Sequence, residues 1–163
     1  MAQEPDHPEQ TRSVLTYRTG VGDANIAGNV DGGHIMKLCD DGAAIAGTRL
    51  AGGRVVTAAV DGMRFRSPVH VGDVITLRST VNAVWRSSME VGVRVDSEDL
   101  SSGETRHTLT AYFTMVALDG DEKALPLPPL TPETPEDKRR HHEADLRREV
   151  RIAKPGELRR TTD

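Results

Sequence analysis

Apolar and polar positions alternate most regularly from residue 75 onward. Ile75, Leu77, Ser79, Val81, Ala83 and Trp85 fall on one side of an extended chain. Thr76, Arg78, Thr80, Asn82 and Arg86 fall on the other, beside Val74 and Val84. Strict alternation over this length predicts a long strand with one face buried in an antiparallel sheet. Met89, Val91, Val93 and Val95 repeat the pattern, which puts Arg86-Ser87-Ser88 at a tight connection between two strands. Thr105–Leu118 reads as the last strand, Val55–Phe65 as a Val/Thr/Ala-rich strand, and Ser13–Arg18 as the first. Between the first two the period changes from two to 3.6. Ile35, Leu38, Cys39, Gly42, Ile45 and Ala46 make one apolar stripe, predicting a helix from about Gly33 to Leu50 that Gly52-Gly53 stops. The order strand, helix, four strands predicts an α+β domain, one helix against a mostly antiparallel sheet.

The ends read differently. Residues 1–12, rich in Pro, Gln and charge, suggest a disordered lead-in ahead of a domain spanning 13–125. From 126 to 163 a Pro-rich exit leads into a charged, partly helical tail. There Glu136–Arg140 and Glu143–Arg147 have the i, i+4 spacing of a solvated helix, and Leu146 and Val150 are expected to pack it onto the body.

Composition narrows the chemistry. A net charge of −4 and only two Phe, two Tyr and one Trp argue against a nucleic-acid platform. No apolar run is long enough for a membrane span, which makes a cytoplasmic setting the expectation. The single Cys39 rules out an intrachain disulfide and a Cys-based metal site, and its place on the helix stripe reads as core. No histidine spacing suggests a metal, and none is expected.

The stretch 25–40 carries the candidate chemistry. Gly32-Gly33 opens the helix, where the first N–H groups lack intrahelical acceptors and a ligand can approach bare backbone. The N–H groups of Gly33 and His34 are candidates for an oxyanion hole. Asp40 lies two turns on, flanked by Met36, Ala43 and Gly47, partly walled off from water. On periodicity alone, an ordinary flank aspartate paired with a nearby Arg is the favoured explanation, because isolated helix acids are common.

The run Asn25-x-x-Gly28-x-Val30-x-Gly32-Gly33-x-Ile35-Met36-x-x-x-Asp40 resembles the loop-and-helix signature of hot-dog-fold acyl-CoA thioesterases. The likeness to bacterial and brain-type cytosolic acyl-CoA hydrolases continues through Val55–Asp61, Val71-Gly72-Asp73, Ser88-Met89-Glu90-Val91, Leu125-Pro126 and Pro132–Arg140. It implies a hot-dog fold, with the sheet wrapped round the central helix, and hydrolysis of fatty acyl-CoA to fatty acid and CoA. Asn25 of one subunit would face Asp40 of its neighbour, as a dimer or a hexameric trimer of dimers. Asp40 would activate water or attack the thioester, and Asn25 would position the water or the oxyanion. CoA would be substrate and product rather than cofactor. Arg54, Thr57, Arg86, Ser87 and Ser88 are its expected contacts, with Arg64 and Arg66 as further candidates. A non-catalytic acyl-CoA sensor, or a thioesterase for acyl-carrier-protein or aryl-CoA esters, are the alternatives. A hot-dog hydratase is disfavoured, because Ile45 stands where its histidine would be. Asp31 and His34 depart from the residues common in the family, His or an aromatic at the first and Trp at the second.

Overall fold

A computed structural model of the chain describes residues 6–153. Five strands, β1 (Ser13–Arg18), β2 (Val55–Phe65), β3 (Val74–Val84), β4 (Ser88–Glu98) and β5 (Thr105–Ala117), form one antiparallel sheet in the order β1-β3-β4-β5-β2. Helices α1 (Pro8–Thr11), α2 (Gly32–Ala51) and α3 (Pro135–Ala153) pack around it.

α2 lies across one face. The alternation read from the sequence sets this up, because Ile75, Leu77, Val81, Val91, Val93, Val95, Leu109, Ala111 and Phe113 are all buried on the helix side. The helix answers with Ile35, Cys39, Ala43, Ala46 and Leu50. Its buried stripe is rotated from the expected one: Ala43 and Gly47 are buried while Leu38 and Ile45 are only half-buried. Small residues permit the close approach. A Cβ on Gly42 would stand 2.8 Å from Ser79 Oγ, inside contact distance. Gly52 ends the helix at φ +63°, the left-handed conformation glycine adopts without steric cost. Register shifts at Thr57/Ala59, Val60/Gly62, Val81/Ala83 and Val95/Asp96 mark bulges that bend the strands around the helix.

Two expectations about the ends need correction. The described part of the lead-in is ordered: Pro8 starts the short α1, and the Thr11 hydroxyl is fully buried. That hydroxyl donates to Pro8 O at 2.7 Å and accepts from Val81 N at 3.0 Å, tying the segment to β3. Residues 1–5 and 154–163 lie outside the described residues. The tail helix is also turned over. Leu146 and Val150 face solvent, 47% and 55% exposed, and α3 docks through charge instead. Arg147 grips Glu90 with two bonds of 2.9 and 2.7 Å, and Glu90 has no exposed surface. Asn82 completes the Glu90 shell at 2.9 Å, and the Arg147 guanidinium stacks 3.6 Å from the Tyr112 ring centre. Arg151 pairs with Asp61, and Trp85 Nε1 donates to Asp145 at 3.0 Å. Glu90 and Asp61 stand on the sheet face away from α2, and Asp145 reaches Trp85 from α3 itself, so charge rather than apolar area orients the helix.

Candidate active site

Asn25 sits in a loop whose backbone is closed on itself. Its N–H donates to Asn29 O at 2.7 Å, and Gly28 N–H donates back to Asn25 O at 3.0 Å. The side-chain Oδ1 accepts from Ala27 N and Asn29 N at 2.9 and 3.3 Å. With its oxygen used inside the loop, the amide offers Nδ2–H outward, where it has no acceptor among the described residues. The loop is anchored to the body by Val30 N–H on Val69 O and by Asp31 N–H on Asp23 O. Asp23 in turn accepts from Gly20 N at 2.7 Å and from the Tyr17 hydroxyl at 3.0 Å. The Gly20 N–H, helped against burial by Tyr17 and the nearby His34 ring, holds the Asp23 carboxyl below the usual carboxylate range. His34 Nε2 stands 3.4 Å from Asp23 Oδ1, close enough for charge attraction, yet it is buried without an aligned hydrogen bond.

Asp31 is the N-cap of α2, a role its residue type favours. Its Oδ1 accepts from Gly33 N–H at 2.7 Å. Of the two donors expected to grip an oxyanion, Gly33 is therefore already engaged. The His34 N–H has no acceptor among the described residues.

Asp40 is partly buried on the flank formed with Ala43 and Gly47. Its partner is not the Arg that periodicity allowed but Thr57, whose hydroxyl donates to Asp40 Oδ1 at 2.5 Å. Thr57, expected among the CoA contacts, donates its hydroxyl to the carboxylate. The bond follows from topology: β2 begins directly after α2 and runs back along it. The neighbouring Cys39 thiol is pushed up to about 12 by burial and by the Asp40 charge, which keeps it a thiol at neutral pH. Lys37 is committed to Asp41 at 2.8 Å.

The remaining expected contacts gather at one end of the sheet. Ala117 N–H donates to Ser87 O and Leu118 N–H to Arg54 O, which brings Arg54 and the Arg86-Ser87-Ser88 turn together beside the start of β2. Arg54 lies 3.5 Å from Glu122 on the surface, and Arg86 has no ion-pair partner among the described residues. Arg64 and Arg66 lie elsewhere, in a hollow with Thr110 and Tyr112. No hydrogen bond joins Asn25 to Asp40 within one chain among the described residues.

The family model described as "Thioesterase superfamily" matches residues 27–104. An uncharacterized acyl-CoA thioester hydrolase of Bacillus subtilis, YkhA, is 37% identical over 136 residues, 83% of this chain and 79% of that protein. The chain belongs to the thioesterase superfamily. Its sheet order and long helix are those of the hot-dog fold. A human cytosolic acyl coenzyme A thioester hydrolase is 35% identical over 86% of this chain, which spans only 37% of that protein's length. An apo-hexameric acyl-CoA thioesterase superposes with a TM-score of 0.90 at 35% identity, covering 95% of this chain and 99% of the other. An acyl-CoA hydrolase of Staphylococcus aureus, solved with butyryl coenzyme A, coenzyme A and coenzyme A disulfide, gives 0.87 at 30% identity, covering 95% and 94%. That hydrolase has also been solved with an Asn, an Asp and a Thr, successively 15 and 17 residues apart, each replaced by Ala.

Proposed function

We propose that this thioesterase-superfamily chain hydrolyses fatty acyl-CoA to fatty acid and CoA, with Asn25, Asp40 and Thr57 as its reacting constellation. The observation that carries the reading is the Thr57 hydroxyl bonded to Asp40, with Asp40 15 residues after Asn25 and 17 before Thr57. The same three residue types at the same separations were chosen for replacement in the Staphylococcus aureus hydrolase.

Thr57 fixes Asp40 Oδ1 and leaves Oδ2 to act. Oδ2 takes a proton from water as its oxygen bonds to the thioester carbon, or attacks that carbon itself. The carbonyl oxygen gains negative charge beside the His34 N–H, and as it collapses the C–S bond breaks and the CoA thiolate leaves. On the water route the thiolate takes the proton that Asp40 accepted. On the direct route it is protonated by solvent, and a water then hydrolyses the acyl–Asp40 anhydride to fatty acid. Asn25 Nδ2–H is the donor for water or oxyanion, supplied from a second copy.

Self-association follows from the edge of the sheet. β2 is an 11-residue edge strand, and an unpaired edge of that length favours pairing with another chain. Apolar side chains cluster in the neighbouring segments: Ile26 beside Asn25 is fully exposed, and Met36, Val60 and Phe65 are each 45–46% exposed. Pairing β2 with β2 of a second copy would bury them, extend the sheet and carry the Asn25 loop to the partner's Asp40. A trimer of such dimers is the assembly this reading favours.

The test is thiol release from acyl-CoAs of increasing chain length. The wild type should turn over at least one of them and Asp40→Ala none, while folding normally. Tight CoA-ester binding with no thiol from the wild type would make the protein a sensor instead.

A further inference from the structure

Both donors assigned to the thioester, Asn25 Nδ2–H and the His34 N–H, hang on one carboxylate. Asp23 closes a single 3-10 turn, Val21–Asp23, two residues before Asn25, and its side chain is only 13% exposed. Its Oδ2 accepts from Gly20 N–H at 2.7 Å, and the Tyr17 hydroxyl of β1 lies 3.1 and 3.0 Å from its two oxygens. Its main-chain oxygen accepts the N–H of Asp31, the cap of α2, at 2.7 Å. From the first turn of that helix, His34 Nε2 comes within 3.4 Å of Oδ1. Asp23 is thus the residue through which β1, the Asn25 loop and the start of α2 are joined.

The N–H groups of a helix point toward its start, so an oxygen held by the His34 N–H sits ahead of α2. Asp40 lies six residues behind, about 9 Å along the axis. A carbonyl carbon stays bonded to its oxygen, so these two groups of one chain cannot both engage one thioester. The His34 N–H therefore travels with Asn25 to Asp40 of a second copy, and the separation of the two donors is fixed inside one chain. Among the described residues no Lys or Arg pairs with Asp23, and His34 Nε2 is buried without an aligned hydrogen bond. An unsatisfied ring nitrogen costs stability. The arrangement that keeps it also keeps the ring against Asp23 and beside Tyr17, ring centres 5.2 Å apart.

We propose that Asp23 is a positioning residue for the thioester hydrolysis, holding the Asn25 loop and the His34 N–H at one fixed separation. The role rests on the hydrolase reading above. Main-chain bonds from Asn25 to Asn29 and from Val30 to Val69 survive loss of the carboxylate. The loop then stays attached while its angle to α2 relaxes, and displacing a reacting group by about 1 Å costs about 100-fold in rate.

Two measurements on full-length Asp23→Ala and Asp23→Asn decide it, both made well below the variants' melting temperatures. Amide hydrogen exchange read by mass spectrometry should speed about tenfold or more over residues 24–35 in Asp23→Ala, with residues 36–51 and strands β3 to β5 unchanged. In thiol release, kcat should fall about 10- to 100-fold with KM within about twofold. Asp23→Asn, whose amide oxygen still accepts the Gly20 N–H, should lose less in both. A wild type that releases no thiol from any acyl-CoA defeats the hydrolase reading, and the exchange rates still decide whether Asp23 ties the loop to the helix. An active wild type with unchanged kcat in Asp23→Ala, or unchanged exchange over 24–35, overturns the proposal. Exchange that rises throughout the domain overturns it too, because it marks a merely structural role.

Discussion

Replacing Arg147 by Met tests whether charge holds α3 to the body. The substitution preserves length and removes both bonds to Glu90, leaving that carboxylate fully buried with Asn82 alone. Breaking a buried pair from one side costs about 3–5 kcal/mol, because the surviving charge has lost its partner. Arg147 is itself 21% exposed, so water reaches part of the gap, and about 2–3 kcal/mol is the expected loss. For a domain of this size that lowers the melting temperature by about 5–10 °C. Adding Glu90→Gln removes the orphaned charge while keeping a side chain able to bond Asn82. The double variant should recover to within about 1 kcal/mol of wild type. Thermal and urea unfolding followed by circular dichroism measure both. A single variant that melts within about 2 °C of wild type would refute the account of docking by charge.

Two further outcomes follow from the site. Thr57→Val removes the hydroxyl that orients Asp40, a hydrogen bond to a charged group worth about 1.5–3 kcal/mol; kcat should fall about 10- to 100-fold with KM little changed, and an unaltered kcat would remove Thr57 from the mechanism. Asp23 is held below its usual range by Gly20 N–H, so its stabilising contribution is present above about pH 4 and fades as pH falls through the lowered folded value. The gap in melting temperature between wild type and Asp23→Asn should therefore be widest near neutral pH and close on acidification, and a gap that widens in acid would contradict the assignment.

The strands were legible because each repeats its pattern. Ser13–Arg18 and Val55–Phe65 appear with the predicted bounds, and the α2 side of β3 is the one alternation chose as far as Val81; the bulge before Ala83 then reverses it, so that Ala83 pairs with Glu90 and Val84 with the core residue Met89. Asp40 was legible as a carboxylate on an apolar flank, but its partner was not. Thr57 is an ordinary strand threonine until β2 folds back along α2. The tail misled for a physical reason. Amphipathic reading assumes that Leu146 and Val150 seek the core, whereas the surface offered to α3 is the polar side of the sheet, where Glu90 and Asp61 attract Arg147 and Arg151. Asp31 was visible as a misfit before the glycine pair, and its residue type also fits the cap it forms, which takes the Gly33 N–H from the expected oxyanion hole.

Subunit complementation addresses the shared site most directly. Asn25→Ala and Asp40→Ala chains, each inactive alone, are co-expressed with different tags and the mixed assemblies assayed for thiol release. If each site takes Asn25 from one copy and Asp40 from the other, a mixed dimer has one site with both residues intact. Random pairing then restores about a quarter of wild-type activity. Mixed assemblies as inactive as their parents would contradict a site built across two copies.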